Sequence, residues 1–419
     1  MPVTDDDTRL IHVLRETFAP APPKQLGVAV SGGSDSMALL HLLADWASVG
    51  GPDVHVITID HGLRSGAARE AAGVARICAD LGISHETRVW QGWDHKGNLQ
   101  DQARRARLGL IADWAKGRGI DTVALGHTAD DQAETFLMRL ARGSGVDGLA
   151  SMSHWRNASG INWARPVLDL RRWELRDFLL RRGVRWFDDP TNEDDSFDRV
   201  KMRKALAILE PLGISAKSLS DTASRLHRAR VALCQYAHDQ ALRIARIDSG
   251  DVVFDCCGLS AVPDEPRDRL LVHALRWVAG AEYRPRQNAL ERLWQAIREE
   301  RSTDLHGCRV LVTAQTIRIT REYSAVKDTV ALPDALWDAR WQVSGPLQSD
   351  YQVRALGEAG LLACPDWRET GRPRATLIAS PAIWRGDGLI AAPLAGLANG
   401  WCVFLACDDE DFFTSLITH

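Results

Sequence analysis

The chain has 419 residues, of which 45% are hydrophobic and 25% are charged, and its formal net charge is −4. This composition is that of a folded globular protein, and the length predicts two or three domains. No apolar run approaches the roughly 20 residues that a membrane-spanning helix needs, so we expect no membrane contact. The acidic first residues do not resemble a signal peptide, so we expect a cytoplasmic location.

Strands and helices alternate through the first half of the chain. Short β-branched runs predict strands, and apolar residues at helical spacing predict helices between them. The alternation predicts an α/β fold with a doubly wound parallel sheet, whose ligands bind beyond the carboxyl ends of the strands. The predicted strands are 27–30, 54–59, 85–90 and 122–125, and the predicted helices are 1–19, 66–81, 99–116 and 129–140.

The pattern changes near Pro211, where two long helical patterns begin, and again near Val326, where short strands alternate with Pro and Gly turns. Short strand signals at 252–254 and 310–320 flank the helical part. We therefore predict three domains: a nucleotide-binding catalytic domain at 1–205, a mainly helical domain at 206–325 and a small α+β domain at 326–419.

The strand at 27–30 leads into a Ser-Gly-Gly-Ser-Asp-Ser loop, and an apolar helix follows. Two glycines let the backbone approach an anion closely, and the amides of the first helical turn point at that anion. The Gly-Lys-Ser/Thr ending of the other common phosphate loop is absent, so cleavage of a γ phosphate is not expected. An ordinary strand–helix turn is the alternative reading. We predict that Ser31, Gly32, Gly33, Ser34, Asp35 and Ser36 bind nucleotide phosphates, with Asp35 holding Mg²⁺.

Two further polar segments are candidates for the same site. Asp60 and His61 follow the strand at 54–59, where such a sheet displays functional groups, although a capped turn would also explain Asp60. Arg104 and Arg107 lie three residues apart on a predicted helix and share a face that can reach phosphates, unless that face is simply solvated.

A carboxylate pair follows the strand at 122–125. Asp131 and Glu134 lie three residues apart on a predicted helix, so both project from the same face. Helix capping explains acidic residues in a first turn, but two carboxylates at the ligand edge also form a receptor for Mg²⁺ or for an ammonium group. The glycine-rich segment 143–148 beyond this helix predicts a mobile loop over the substrate.

These motifs, in this order, resemble those of the tRNA(Ile)-lysidine synthetase family, which belongs to the PP-loop ATP pyrophosphatases. The resemblance is strong over about 24–205 and weakens towards residue 322. Gln100 stands where many members have Glu, and the segment 198–203 replaces an Asn-Arg-rich version. The matching segments are SGGSDS at 31–36, DHGLR at 60–64, GHTADDQAETFLMRLARGSG at 126–145, RPVLDLRRWELRDFL at 165–179 and RWFDDPTNED at 185–194.

The resemblance implies that ATP adenylates the C2 carbonyl oxygen of the wobble cytidine in tRNA(Ile) with a CAU anticodon. Free L-lysine then displaces AMP to form lysidine. It further implies that Asp35 with Mg²⁺ serves the pyrophosphate, and that the phosphate loop, His61, Arg104 and Arg107 bind ATP. Asp131 and Glu134 would recognise lysine, whose proton is accepted by Asp131, by Glu134 or by water. The regions after residue 205 are expected to bind the tRNA body, and a homodimer is compatible with the resemblance.

Two other functions are compatible with parts of the sequence. A PP-loop tRNA sulfurtransferase would need cysteines near the site, yet Cys78 is the only cysteine among the first 200 residues and no CxxC pair occurs. A tRNA-binding protein that senses ATP without turnover would share the phosphate loop, but it would release neither AMP nor pyrophosphate.

Overall fold

The computed structural model of the chain describes residues 5–60, 62, 66–90, 99–188, 197–346, 348, 350–406 and 409–417. The chain forms two compact units, Met1–Arg230 and Val231–His419. The division into three domains at residues 205 and 325 is finer than this, and it stays a prediction.

The first unit alternates strands and helices as expected, and its predicted strands and helices lie close to the observed bounds. No bounds were predicted for the hairpin and short helices that follow residue 145. The elements of this unit are α1 (Asp5–Thr17), β1 (Gln25–Ala29), α2 (Ser34–Ser48), β2 (Asp53–Asp60), α3 (Ala67–Asp80), β3 (Ser84–Val89), α4 (Leu99–Gly117), β4 (Thr122–Leu125), α5 (Ala129–Leu140), α6 (Val146–Leu149), β5 (Trp155–Ala158), β6 (Ile161–Ala164), α7 (Arg172–Arg181) and α8 (Asp198–Leu209). The long helix α9 (Ala216–Ile244) begins in this unit and continues past Arg230.

A six-stranded sheet in the order β3-β2-β1-β4-β6-β5 forms the centre of this unit. All neighbouring strands pair in parallel except β5, which pairs with β6 as an antiparallel edge strand. The order reverses beside β1, so the loops after β1 and β4 lie next to each other at the carboxyl edge. This is the position where sheets of this kind bind ligands.

Helices cover both faces of the sheet, because successive strand residues point to opposite sides. Val28 and Val56 belong to a buried cluster with residues of α1, α2 and α7 on one face. Ile57 and Val123 belong to a second cluster with Trp114 of α4 on the other face. The predicted doubly wound α/β fold is therefore confirmed.

The second unit combines helices with antiparallel sheets. A five-stranded sheet in the order β7-β8-β11-β10-β9 packs against α11, and the expected strand signals at 252–254 and 310–320 belong to it. The elements are β7 (Ala245–Asp248), β8 (Asp251–Asp255), α10 (Cys256–Ala261), α11 (Asp264–Ala279), α12 (Gln287–Arg298), β9 (Thr303–Leu305), β10 (Cys308–Val312), β11 (Thr316–Arg321), α13 (Tyr323–Val326), β12 (Val330–Ala331), β13 (Trp341–Ser344), β14 (Tyr351–Ala355), α14 (Gly357–Leu362), α15 (Arg374–Ile378), β15 (Pro381–Arg385), β16 (Gly388–Ala391), β17 (Cys402–Leu405) and α16 (Asp409–Thr414).

The last helix returns to the core of this unit. Phe412 of α16 and the nearby Leu416 are buried in the cluster that contains Leu271 and Leu275 of α11. The ring of Phe412 also contacts His273 and Trp277 of the same helix. Among the described residues, no helix is long and apolar enough to cross a membrane.

Candidate active site at the carboxyl edge of the parallel sheet

The phosphate loop joins β1 to α2. Gly32 has a φ of +90°, a left-handed conformation that favours glycine. The Ser31 amide donates to Ser36 Oγ at 3.2 Å, and Ser36 Oγ donates to the Gly33 carbonyl at 3.0 Å, so the loop is held by its own hydroxyl groups. Within the described residues, no side chain caps the start of α2 at Gly33. The amides of its first turn therefore remain available to an anion.

The loop after β4 packs directly against the phosphate loop. A Cβ on Gly126 would lie 3.1 Å from the backbone of Asp35 and Ser36, so only glycine fits there without a shift. This close approach brings the start of α5 to the start of α2. It explains why the second and third motifs of the sequence converge on one place.

Asp131 and Glu134 lie within this convergence, as the sequence predicts. Asp131 Oδ2 accepts hydrogen bonds from the Thr128 amide at 2.9 Å and from Thr128 Oγ1 at 3.0 Å, so the capping reading is also correct for this residue. The other oxygen of Asp131, Oδ1, takes no part in this capping and accepts from Arg172 instead. Glu134 is only 1% exposed and makes no capping contact in the described structure, which a solvated helix face does not explain.

Arg172, the first residue of α7, joins both carboxylates to Asp35. Its Nε donates to Asp35 Oδ2 at 2.9 Å, Nη1 to Glu134 Oε1 at 3.1 Å and Nη2 to Asp131 Oδ1 at 3.4 Å. We call Asp35, Asp131 and Glu134 the acidic cluster. Arg203 of α8 also donates to Glu134 Oε1, at 3.0 Å. Neither arginine was predicted as a site residue.

The pKa shifts of the cluster follow from burial and from Arg172. Burial raises the pKa of Asp35, and Arg172 offsets this only in part. Burial also acts to raise the pKa of Asp131, but Arg172 and other donors hold it below its usual value. Burial acts to lower the pKa of Arg172, yet the three carboxylates raise it overall, so Arg172 stays charged.

A second set of charged side chains beside the cluster is basic, and three of its members act on His127. Burial lowers the pKa of His127 to about 4, and three arginines lower it further against the opposing effect of Asp131. His127 is therefore neutral at pH 7, and its buried Nδ1 has no hydrogen-bond partner within the described part of the chain. The arginines of this set, which we call the basic group, are Arg104, Arg107, Arg165 and Arg199.

The arginines of the basic group repel one another, which indicates a site for an anion. Arg107 is exposed to solvent, and partial loss of hydration together with the charges of Arg104 and Arg199 lowers its pKa. Burial and neighbouring arginines lower the pKa of Arg165 to about 10, and its buried Nε has no partner among the described residues. The predicted pair Arg104 and Arg107 thus belongs to a larger cationic surface.

The structure also connects the phosphate loop to α7 and to the segment after it. The Phe187 amide donates to the Gly32 carbonyl at 3.0 Å, and its ring rests against Gly32 and against Gly73 of α3. Arg176 Nε donates to Ser34 Oγ at 3.3 Å. These contacts cross more than 110 positions of the chain, so local sequence patterns do not reveal them.

The remaining predictions have mixed outcomes. Asp60 Oδ1 accepts a hydrogen bond from the Gly62 amide at 2.9 Å, which is the capped turn offered as the alternative. His61 lies outside the described residues. Part of the segment 143–148 forms the start of α6, and Arg139 Nη1 donates to the Gly148 carbonyl at 2.7 Å. The predicted mobility of this segment stays a prediction.

The fold and the loop define a PP-loop nucleotide-binding protein. The PP-loop domain family matches residues 6–209 of the chain, which include the phosphate loop, the acidic cluster and the basic group.

Curated relatives identify the family. The chain is 52% identical to a tRNA(Ile)-lysidine synthase of Ruegeria pomeroyi over 98% of both chains. It is 34% identical to the enzyme of that name from Wolbachia pipientis over 76% of both chains. It is also 40% identical to the one from Bradyrhizobium diazoefficiens, over 65% of this chain and 79% of that one. The chain belongs to the tRNA(Ile)-lysidine synthase family and is a ligase that uses ATP to form lysidine in tRNA.

Proposed function

We propose that the chain joins L-lysine to C2 of the wobble cytidine of tRNA(Ile) with a CAU anticodon, through an adenylated tRNA intermediate. One observation carries the proposal. Three carboxylates from two different helices, α2 and α5, meet at the phosphate loop, beside a group of four arginines. A reaction between a triphosphate and an ammonium substrate needs these two kinds of charge next to each other.

The phosphate loop and the basic group receive ATP in this proposal. The free amides at the start of α2 and the serine hydroxyls hold the phosphates, and Arg104 and Arg107 neutralise their charge. His61 belongs to the same proposal through its motif alone. As the C2 oxygen of cytidine attacks the α phosphate, these donors stabilise the negative charge that develops on the departing pyrophosphate.

Asp35 is the proposed ligand for Mg²⁺. Among the described residues, no three His, Cys, Asp or Glu side chains are arranged so that they alone could hold a metal ion. Mg²⁺ fits this setting, because it commonly binds through one or two carboxylates together with substrate phosphates and water. When bound, the ion would polarise the phosphates and compensate the charge of pyrophosphate.

Asp131 and Glu134 are the proposed receptors for the ε-ammonium group of lysine. A free amine of this kind has a pKa of about 10.4 in water, so it arrives protonated and must lose a proton before it attacks C2. Carboxylates that bind the cation also stabilise its charged form. We therefore propose that one of them, or a water between them, accepts the proton as the amine attacks and AMP leaves.

The regions after residue 205 are proposed to bind the tRNA body. The helices of this part carry many arginines that can contact phosphates, among them Arg225, Arg228, Arg230 and Arg276. A cytoplasmic location and a homodimer complete the proposal, and sedimentation at several protein concentrations tests the dimer.

A sulfur-transfer function fits the site poorly. Cys78 is buried in the core of the first unit, and burial raises the pKa of its thiol to about 11. A neutral, inaccessible thiol is a poor sulfur carrier.

The direct test is mass analysis of tRNA(Ile) nucleosides after incubation of the full chain with ATP and lysine. We expect lysidine at the wobble position, with AMP and pyrophosphate released in equal amounts. Omission of lysine should stop lysidine formation. Unmodified cytidine in the complete reaction, with active tRNA and ATP confirmed by a reference enzyme, would contradict the proposal.

A further inference from the structure

The guanidinium group of Arg172 lies among the three carboxylates of the acidic cluster. It contacts all three of them, and the side chain of Arg172 is only 17% exposed. The backbone amide of Arg172 donates to Asp130 Oδ2 at 2.7 Å, which anchors the start of α7 beside the cluster. A cation of the protein thus lies where the proposed function requires the cation of the substrate.

Five of the six carboxylate oxygens in the acidic cluster already accept a hydrogen bond. Arg172 takes one oxygen of each carboxylate. Of the others, Asp35 Oδ1 accepts from Ser34 Oγ at 3.0 Å, and Asp131 Oδ2 accepts from Thr128. Only Glu134 Oε2, which is buried, lacks a hydrogen-bond partner among the described residues.

An incoming ammonium group has three N–H donors, and a buried donor without an acceptor is costly. One free oxygen on Glu134 does not satisfy it. Asp131 Oδ1 and Glu134 Oε1 both accept from Arg172, and Glu134 Oε1 also accepts from Arg203. An ammonium group can therefore lie against both carboxylates at once when the guanidinium of Arg172 moves away from them. Lysine binding at the acidic cluster is therefore an exchange of one cation for another.

We propose, on the basis of the proposed function, that Arg172 is the resident cation of the lysine site. In the absence of lysine it holds the three carboxylates together, and lysine takes its place at Asp131 and Glu134. Arg172 then acts as a specificity-determining residue, because a ligand must compete with a guanidinium that already makes three ion pairs. The apparent lysine affinity is reduced by the fraction of time that Arg172 occupies the site.

The test replaces Arg172 in the full chain and measures the Kd for L-lysine by calorimetry, together with KM and kcat in lysidine formation. For Arg172→Gln we expect Kd and KM for lysine to fall about tenfold, because the internal competitor is gone. Methylguanidinium at millimolar concentration should raise both values again in this variant but not in the wild type. kcat should not rise, since tighter ground-state binding does not lower the barrier from the bound state.

Arg181→Gln is the matched control. Arg181 lies on the same helix and forms an ion pair with Asp7 at 2.6 Å, away from the acidic cluster. This variant should leave the lysine Kd unchanged. Arg172→Lys keeps a positive charge but loses the planar fork, so its lysine Kd should lie between those of the wild type and Arg172→Gln, and it serves if the glutamine variant does not fold.

An unchanged or higher lysine Kd in both Arg172 variants would overturn the exchange, since Arg172 would then hold the carboxylates for lysine rather than compete with it. In that case the wild type still forms lysidine and the proposed function stands. Absence of both lysine binding and lysidine formation in the wild type would instead overturn the proposed function, and the exchange with it.

Discussion

The two units of the chain each contain a buried cluster of arginine and carboxylate groups, and the two clusters differ in how fully they are satisfied. In the second unit, Arg318 donates to Asp251 at 2.8 Å and to Asp248 at 2.6 Å, and Thr376 Oγ1 donates to Asp251 at 2.6 Å. In the first unit, Arg172 is shared among three carboxylates, and Glu134 Oε2 has no partner in the described structure.

The location of the clusters differs as well. The cluster of the second unit lies within and beside an antiparallel sheet, and Asp251 is the first residue of β8. The acidic cluster lies at the carboxyl edge of a parallel sheet, next to free amides of α2. A closed ion pair holds elements together, whereas an excess of carboxylates at such an edge leaves charge for a ligand. The Arg318 cluster of the second unit should therefore govern stability, and the acidic cluster of the first unit should govern turnover.

The largest effect is expected for Asp35→Ala. Loss of the proposed Mg²⁺ ligand should lower the rate of pyrophosphate release roughly thousandfold, about 4 kcal/mol in the barrier. Thermal unfolding should change little, because Arg172 keeps its ion pairs with Asp131 and Glu134. Asp45→Ala is the control: it lies on the same helix and pairs with Arg182 at 2.7 Å. If the turnover of Asp35→Ala stays within threefold of the wild type, Asp35 is not the Mg²⁺ ligand.

The reverse outcome is expected for Asp251→Ala. Removal of this buried carboxylate leaves the charge of Arg318 only partly paired and should lower the free energy of unfolding by about 3 kcal/mol. The KM for ATP should stay within twofold. Denaturant unfolding and steady-state kinetics on the same preparation measure both quantities. If the KM for ATP rises strongly while stability is retained, the second cluster is also part of a functional site.

Removal of the second unit tests whether the two units have different roles. A chain that ends after Arg230 should bind ATP as the full chain does. It keeps Arg225, Arg228 and Arg230 but loses Arg276 and the rest of the second unit, so its tRNA affinity should fall at least about 100-fold. Filter binding at several salt concentrations measures this, and the full chain should lose affinity steeply as salt rises. Equal tRNA affinity of the short and full chains would assign another role to the second unit.

The position of the cut matters because residues beyond 205 complete the core of the first unit. Leu206, Leu219 and Ala223 are buried against Phe136 and Ala133 of α5, the helix that carries Asp131 and Glu134. A chain that ends at 205 should therefore unfold more easily than one that ends at 230. Its loss of tRNA binding would not distinguish the role of the second unit from damage to the site.

Glu134→Gln should have a smaller effect that is specific to one substrate. Replacement of the carboxylate by an amide weakens a charge-assisted contact, so the KM for lysine should rise about 30-fold, roughly 2 kcal/mol. The KM for ATP should change less than threefold, and Asp131→Asn should behave similarly. Initial rates with one substrate varied at a time measure this. If the KM for ATP is affected most, the pair serves Mg²⁺ rather than lysine.

The sequence predicts the parts of the site that local patterns determine. The phosphate loop, its strand and the two carboxylates on α5 follow from spacing, because residues three apart on a helix share a face. Arg172 was not predicted, since its contact with Asp35 spans 137 positions. Arg172 lies within the segment RPVLDLRRWELRDFL, which matched the family. That segment contains several arginines, and nothing in its local pattern distinguishes Arg172 from the others. Which carboxylates an arginine pairs with depends on how distant parts of the chain pack together, and the local sequence pattern does not show this.

The smallest expected effect concerns the contact of Phe187 with the phosphate loop. A Cβ on Gly73 would lie 2.5 Å from Phe187 Cζ, so Gly73→Ala must displace the ring and disturb the bond from the Phe187 amide to Gly32. We expect the KM for ATP to rise about fivefold, roughly 1 kcal/mol, although alanine is by itself the better helix former at this position in α3. Calorimetric titration with ATP and thermal unfolding measure the two effects.

Two further variants separate the contact from helix propensity. Gly109→Ala in α4 has open space around its Cβ, so it should stabilise its helix by up to about 1 kcal/mol and leave ATP binding unchanged. Phe187→Leu combined with Gly73→Ala should recover part of the lost ATP affinity, because a smaller side chain makes room for the added methyl group. If Gly73→Ala binds ATP as tightly as Gly109→Ala does, the ring of Phe187 has no part in shaping the phosphate loop. A shared loss of affinity in both variants would point to a general effect of helix stiffening rather than to this contact.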